Sequence, residues 1–133
     1  MPERRPSAPA SRSAARGTEY HWAESAARSH LESRGYAHLA SNYRLRRAEL
    51  DLVMLEGDTV VVVEVKQRKN DRYGHPAEAI DARKLSRLLL AARHFVAFEL
   101  RRPDARLRLD AVTLLGVEGD YRLEHLRDVG GLL

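Results

Sequence analysis

Two consecutive runs of the chain are apolar on both faces, and they constrain the fold more than any other feature. Residues 49–56 read ELDLVMLE and residues 59–66 read TVVVVEVK, with Gly57 and Asp58 between them. A Gly-Asp pair between two β-rich runs is typical of a hairpin turn. Strands that are apolar on both faces belong at the centre of a covered sheet. The sequence therefore predicts a hairpin at the centre of a sheet that is covered on both sides.

The rest of the chain predicts helices and strands that cover and extend this hairpin. Apolar residues recur at helical spacing over residues 19–34, and Gly35 follows as a typical helix stop. A strand, a long helix and two more strands are predicted over residues 36–45, 77–99, 107–115 and 121–126. The order α-β-β-β-α-β-β predicts an α/β fold in which helices pack on one sheet.

The first 17 residues differ in composition from the remainder. They are rich in Ser, Pro, Ala and Arg without an apolar period, which predicts a disordered tail before one folded domain over residues 18–133. The tail holds four arginines against one glutamate, so it carries +3 of the net charge of +4. A basic tail of this kind either contacts nucleic acid without specificity or stays solvated, and both interpretations remain open.

Composition also excludes several classes of protein. The chain has no cysteine, which excludes disulfides, thiolate zinc sites and cysteine nucleophiles. No stretch approaches the roughly 20 apolar residues that a membrane helix needs. The polar start MPERR lacks the apolar core of a secretory signal. We therefore expect a cytoplasmic protein without a membrane partner.

The hairpin turn sets the register of its two strands. If Gly57 and Asp58 are the two loop residues, Asp51 lies opposite Glu64, and Glu49 lies opposite Lys66. Residues two apart on a strand share a face, so three carboxylates and one ammonium meet on one face. A loop of another length would shift the register by one residue and turn one partner away.

Like charges at this spacing repel unless something compensates them. Lys66 supplies part of the compensation, and a hard cation such as Mg²⁺, which prefers carboxylate oxygens, would supply the rest. The alternative is a set of ordinary ion pairs on an exposed strand end. The flanking Val and Leu residues favour a metal site on Asp51 and Glu64.

These residues resemble a known nuclease signature. Asp51 followed across a hairpin by Glu64-Val65-Lys66 is similar to the PD-(D/E)xK motif of restriction-endonuclease-like nucleases. The resemblance is closer to the YraN family of bacterial proteins, which share that fold. It rests on AESAA at 23–27, RGY at 34–36, NYR at 42–44, AELDLV at 48–53, VEVKQR at 63–68, YG at 73–74, Lys84 and RLDAV at 108–112.

The resemblance implies a central mixed β-sheet flanked by helices, and a site that holds Mg²⁺ or Mn²⁺. It implies Asp51 and Glu64 as metal ligands, with the Val65 carbonyl as a further ligand and Lys66 as the catalytic lysine. Similarity to Holliday-junction resolvases implies that Glu24 completes the metal site. Glu49 and Gln67 take supporting positions. The family usually has glycine where this chain has Ala23 and Ala48, and neither change removes a charge.

Basic residues surround the predicted site and suit a phosphate-bearing partner. The candidate nucleic-acid contacts are Arg44, Arg46, Arg47, Arg68, Lys69, Arg72, Tyr73 and Lys84. The first hypothesis is a metal-dependent endonuclease that acts on nucleic acid, with DNA favoured over RNA and with branched recombination or repair intermediates as candidate substrates. The alternative is a non-catalytic nucleic-acid-binding or recombination-partner module of the same fold. A homodimer formed through the long helix is a third interpretation.

The tail gives a first test. Deleting residues 1–17 should leave the melting temperature nearly unchanged, because a disordered segment makes few contacts. The deletion should weaken nucleic-acid binding and flatten its salt dependence, since several cations are lost. Binding titrations over a range of salt concentrations measure this, and an unchanged slope would show that the tail does not contact the ligand.

Overall fold

The fold is described by a computed structural model that covers residues 18–70, 72 and 81–130. The predicted tail lies outside these residues. The elements are α1 (Thr18–Ser33), β1 (Ala37–Leu45), β2 (Ala48–Glu56), β3 (Thr59–Arg68), α2 (Ala82–His94), β4 (Arg106–Val117) and β5 (Asp120–Leu126). A short π-helical turn, Phe95–Glu99, continues α2. The predicted order of helices and strands is confirmed, while residues 77–80 of the predicted second helix lie outside the described residues. No helix in the described part is long and apolar enough to cross a membrane.

The five strands form one mixed sheet in the order β1-β2-β3-β4-β5. Neighbouring strands are antiparallel except β3 and β4, which are parallel. A parallel pair needs a crossover connection, and α2 lies within the segment that joins β3 to β4. The hairpin register is as predicted from Glu56 opposite Thr59 to Leu52 opposite Val63.

Each face of the sheet is covered by one helix. Val60 and Val62 of β3 belong to the core beneath α2, together with Leu88. Val61 and Val63 belong to the core beneath α1, together with Leu31. Alternate side chains of the same strand therefore enter different cores, which explains why the sequence of β3 is apolar at every position from 60 to 63.

The alternation of β2 breaks at Asp51. Leu50 packs beneath α2, whereas Leu52 packs beneath α1, although residues two apart on a regular strand share a face. The pairing of β1 with β2 steps from Ser41–Leu52 to Tyr43–Leu50 and passes over Asn42, whose φ of 54° is left-handed. The register is the same on both sides of this gap, and the register shift of this strand pair lies between His38 and Ala40. The side chains of β2 therefore change faces at Asp51, the first acid of the predicted site.

Another buried carboxylate, Asp110 on β4, anchors the segment that follows β5. One of its oxygens accepts bonds from Arg108 Nε and the Asp128 N–H, both at 2.9 Å. The other accepts from Arg108 Nη2 at 3.0 Å and Tyr36 at 3.3 Å, and lies 2.8 Å from His125 Nε2. Burial alone raises the pKa of Asp110, but bonds from Arg108, Asp128 and His125 outweigh it and hold the pKa below its usual value. Asp110 is fully satisfied, so we assign this cluster to stability.

Replacing Asp110 with Asn should therefore destabilise the fold. We expect a loss of about 3–5 kcal/mol in the free energy of unfolding at pH 7, because Arg108 loses a buried partner. Urea denaturation measures the loss, and Asp120→Asn, an exposed acid on β5, is the matched control.

The contribution of Asp110 to the free energy of unfolding should depend on pH in one direction. A lowered pKa in the folded state adds stability above about pH 4, and that stability disappears as the pH falls through the lowered pKa. The stability of the variant should therefore fall less steeply than that of the wild type as the pH is lowered below about 4. Equal stability of Asp110→Asn and wild type would contradict a structural role.

Candidate functional site

The predicted acids and lysine meet in one cavity between β2, β3 and the first turns of α2. The cavity has a volume of about 380 Å³. Its lining residues are Arg47, Ala48, Glu49, Asp51, Glu64, Lys66, Lys84, Arg87 and Leu88. The structure therefore brings together Glu49, Asp51, Glu64 and Lys66, the four residues that the hairpin register predicts on one face.

Asp51 is fixed by a backbone donor. Its Oδ2 accepts the Val65 N–H at 2.8 Å, and the side chain is 3% exposed. The paired residues of β2 and β3 end at Leu52–Val63, so this carboxylate takes the hydrogen bond that a strand partner would otherwise accept. In an extended strand the N–H and C=O of one residue point to the same side. The Val65 carbonyl therefore faces the Asp51 side of β3 as well.

Glu64 lies beside Asp51 and is 2% exposed. Its Oε1 is 3.5 Å from Lys84 Nζ and 3.9 Å from Lys66 Nζ. Burial and then the negative charge of Asp51 raise the pKa of Glu64 to about 8, although both ammonium groups act in the opposite direction. Two carboxylates that share a buried space hold either a proton or a cation.

Lys66 also has a neighbour of its own charge, because Lys84 contacts it. Burial lowers its pKa first, and the contact with Lys84 lowers it further, while Glu64 and Asp51 raise it. The site thus holds two adjacent acids and two adjacent lysines. Each like-charged pair is tolerated because the other pair is close.

The donor set fits a hard divalent cation such as Mg²⁺ or Mn²⁺. Mg²⁺ usually binds one or two protein carboxylates and completes its coordination with water and substrate phosphate. Asp51 and Glu64 offer such a pair. Among the residues that the structure describes, no group of three or more His, Cys, Asp or Glu side chains is placed to hold a metal.

Comparison with known proteins places this chain in a family. The model of the family described as Uncharacterised protein family UPF0102 matches residues 23–114. The chain belongs to the UPF0102 family. The resemblance to YraN proteins is thereby confirmed, and the matched range contains both site strands and Lys84.

The relatives of this UPF0102 chain align over most of its length. A UPF0102 protein of Pseudomonas fluorescens is 46% identical over 107 residues, which cover 80% of this chain and 87% of the relative. One from Pseudomonas aeruginosa is 49% identical over 92 residues, which cover 69% of this chain and 74% of the relative. One from Thermus thermophilus is 47% identical over 105 residues, which cover 79% of this chain and 90% of the relative.

Glu24 lies outside the cavity lining of this UPF0102 site. It is 7% exposed on α1, and Asn42 Nδ2 donates to its two oxygens at 3.1 and 3.4 Å. Asn42 is the β1 residue that the strand pairing passes over opposite Asp51. The structure thus connects Glu24 with the irregularity around Asp51. The role of Glu24 as a direct metal ligand stays a prediction.

The other predicted residues fall into two groups. Glu49 lines the cavity, and Gln67 donates from Nε2 to the Gly116 carbonyl at 2.7 Å, so Gln67 ties β3 to β4. Among the predicted nucleic-acid contacts, Arg47 and Lys84 line the cavity. The exposed residues outside the lining are Arg44, Arg46, Arg68, Lys69 and Arg72. Tyr73 lies outside the described residues.

Arg87 is a cavity residue that is not among the nucleic-acid contacts predicted from the sequence. It lines the cavity together with Lys84. The signal that identifies it is its spacing of three from Lys84, since residues three apart share a helix face.

The raised pKa of Glu64 predicts that this residue reduces stability. An acid whose folded pKa is near 8 and whose ordinary value is 4.5 holds its proton longer in the folded state. Stability therefore falls as the pH rises from about 4.5 to 8 and stays low above that range. Glu64→Gln should remove this decline and gain a few kcal/mol at pH 9, since a tenfold change in acidity corresponds to about 1.4 kcal/mol.

Thermal melts from pH 4 to pH 9 measure the effect. The two proteins should have similar stability near pH 4, and the variant should be more stable at pH 9. Glu118→Gln, an exposed acid between β4 and β5, provides the control. A variant that is less stable than wild type at pH 9 would show that Glu64 is a structural ion-pair residue.

Proposed function

We propose that this protein is a metal-dependent nuclease that hydrolyses phosphodiester bonds in nucleic acid. The observation that carries the proposal is the convergence of Asp51, Glu64 and Lys66 in one cavity. Two adjacent buried carboxylates repel each other, and stability alone gives no reason to keep them together. A hard cation between them and a phosphate in front of them would relieve the repulsion.

Asp51 and Glu64 would hold Mg²⁺ or Mn²⁺, with the Val65 carbonyl directed to the same side. When bound, the ion supplies Lewis-acid polarisation of the phosphate and lowers the pKa of a coordinated water. Asp51 is kept in position for this role by the Val65 N–H. Glu49 lines the same cavity and supports the acidic side of the site.

Lys66 acts on the phosphate side of the site. Hydrolysis forms one bond from a water oxygen to phosphorus and breaks the bond to the leaving sugar oxygen, so negative charge grows on the phosphate oxygens. The Lys66 ammonium, 3.9 Å from Glu64, is near the carboxylates and stabilises that charge. Burial around Lys66 strengthens the interaction, because fewer waters screen it.

DNA is the favoured substrate, with branched recombination or repair intermediates as candidates in a cytoplasmic setting. Exposed arginines lie close in sequence to the cavity-lining residues of β2 and β3, and they suit the sugar-phosphate backbone, which carries no base information. The rival function is a nucleic-acid-binding or recombination-partner module that does not cut. The buried acid pair argues against the rival, since carboxylates that face phosphate weaken simple binding.

Two substitutions separate these functions. Glu64→Gln should reduce cleavage by roughly 10²–10³-fold or more, on the order of the loss when one group that stabilises transition-state charge is removed. At pH 9 without metal, the same change should tighten binding, because a negative charge near the phosphates is gone. Lys66→Ala should also abolish cleavage but should weaken binding, because it removes a positive charge from the same place.

The assay uses single-stranded, duplex, flap and four-way-junction substrates of DNA and RNA with Mg²⁺ or Mn²⁺. Fluorescence anisotropy in EDTA gives the binding constants, and Arg93→Ala, at the far end of α2 from the cavity, is the control. Opposite effects on binding with a common loss of cleavage support the nuclease. Wild-type protein that binds but cleaves none of the substrates would establish the binding module instead.

A further inference from the structure

Two lysines, and not one, contact the central carboxylate of the site. Lys84 Nζ lies 3.5 Å from Glu64 Oε1, closer than the 3.9 Å of Lys66, which belongs to the sequence motif. Their side chains are 29% and 21% exposed, so neither is a freely solvated surface lysine. Lys66 enters the cavity from β3 and Lys84 enters it from α2, eighteen residues later in the sequence.

The position of Lys84 is built into the start of α2. The Asp81 side chain accepts the Lys84 N–H at 2.9 Å and caps the helix. Leu88, one turn further along the same face, is 4% exposed in the core beneath α2. The first turn is therefore fixed at both ends, and the lysine stem starts from a rigid place above Glu64.

The charges of the cavity suit an anion larger than a single carboxylate. Two lysines and two arginines line the cavity with three acids. The lysines contact each other as well as Glu64. A single carboxylate oxygen is a poor partner for two ammonium groups, whereas a phosphate offers several oxygens to donors from different directions.

We propose that Lys84 is a second lysine of the catalytic centre, which binds the reacting phosphate from the helix side while Lys66 binds it from the sheet side. Arg87, three residues further on the same helix face, then binds the neighbouring phosphate of the same strand. The inference rests on the proposed function and extends it. The site recognises two consecutive phosphates, so its substrate class is an oligonucleotide rather than an isolated phosphate ester.

The competing explanation is a structural ion pair between Lys84 and Glu64. Both explanations predict that Lys84→Ala changes the affinity of the protein for an oligonucleotide. They differ in whether the effect depends on the charge of one particular phosphate. A substrate in which a single phosphate is replaced by a neutral methylphosphonate provides that distinction.

The experiment combines each protein variant with each modified oligonucleotide. The parent oligonucleotide is the one that wild type cleaves best or, if none is cleaved, the one it binds most tightly. Methylphosphonate is placed at successive positions, and dissociation constants are measured with Ca²⁺ in place of Mg²⁺, with the recovered strand checked to be intact. The variants are Lys84→Ala, Lys84→Arg and Arg87→Ala, with Arg93→Ala as the control on the same helix.

Lys84→Ala should weaken binding of the parent by about tenfold or more, the usual loss for one hydrogen bond to a charged group. The neutral group at the cleaved position should cause a similar loss in wild type, and the combined loss should be no larger than either one. Such losses are non-additive. Arg87→Ala should show the same non-additivity with methylphosphonate at an adjacent position, and Arg93→Ala should show it at no position. Lys84→Arg, which keeps the charge, should recover most of the affinity.

Two results separate the failure of this inference from the failure of the proposed function. Losses for Lys84→Ala that multiply with the methylphosphonate loss at every position would overturn the phosphate contact, even if wild type cleaves DNA. Non-additivity at one position without any cleavage by wild type under Mg²⁺ or Mn²⁺ would overturn the nuclease and keep Lys84 as a phosphate ligand.

Discussion

The hydrogen bond from the Val65 N–H to the Asp51 carboxylate is the interaction on which the site depends. It lies where the paired residues of β2 and β3 end, so a side chain satisfies a backbone donor at the centre of the sheet. The bond holds Asp51 against β3 and beside Glu64. Leu50 and Leu52, the two neighbours of Asp51, pack in opposite cores. Their packing fixes the change of side-chain face at Asp51 that allows this contact.

Two buried carboxylate groups in this fold have opposite energetic roles. Asp110 accepts bonds from Arg108, Tyr36 and a backbone N–H, with His125 also in contact, and its pKa is lowered. Glu64 faces a like-charged neighbour, and its pKa is raised. The first arrangement stabilises the folded chain, while the second is relieved in part by Lys66 and Lys84 and would be relieved further by a proton or a metal ion. This contrast supports placing function at Glu64 and structure at Asp110.

Burial of apolar side chains in the sheet offsets the destabilising effect of the buried charges in the site. Val60 to Val63 are almost wholly buried in two cores, one beneath each helix. Burial of such side chains contributes about 1.5–3 kcal/mol each. The same packing also provides the low-polarity surroundings that strengthen electrostatic interactions in the cavity. Stability and site chemistry are therefore supplied by the same pair of strands.

The sequence alone determined the elements, the hairpin register and the grouping of Glu49, Asp51, Glu64 and Lys66. The elements and the register follow from the apolar pattern and the turn length, which are local properties of the chain, and the grouping was predicted from that register although the alternation of β2 breaks at Asp51. Three features were decided only by the tertiary structure. The side chains of β2 change faces at Asp51, and Glu24 contacts Asn42 instead of entering the cavity lining. Lys84 reaches Glu64 from α2. Those three outcomes depend on how separate elements pack across the sheet, and spacing within one element carries no information about such contacts.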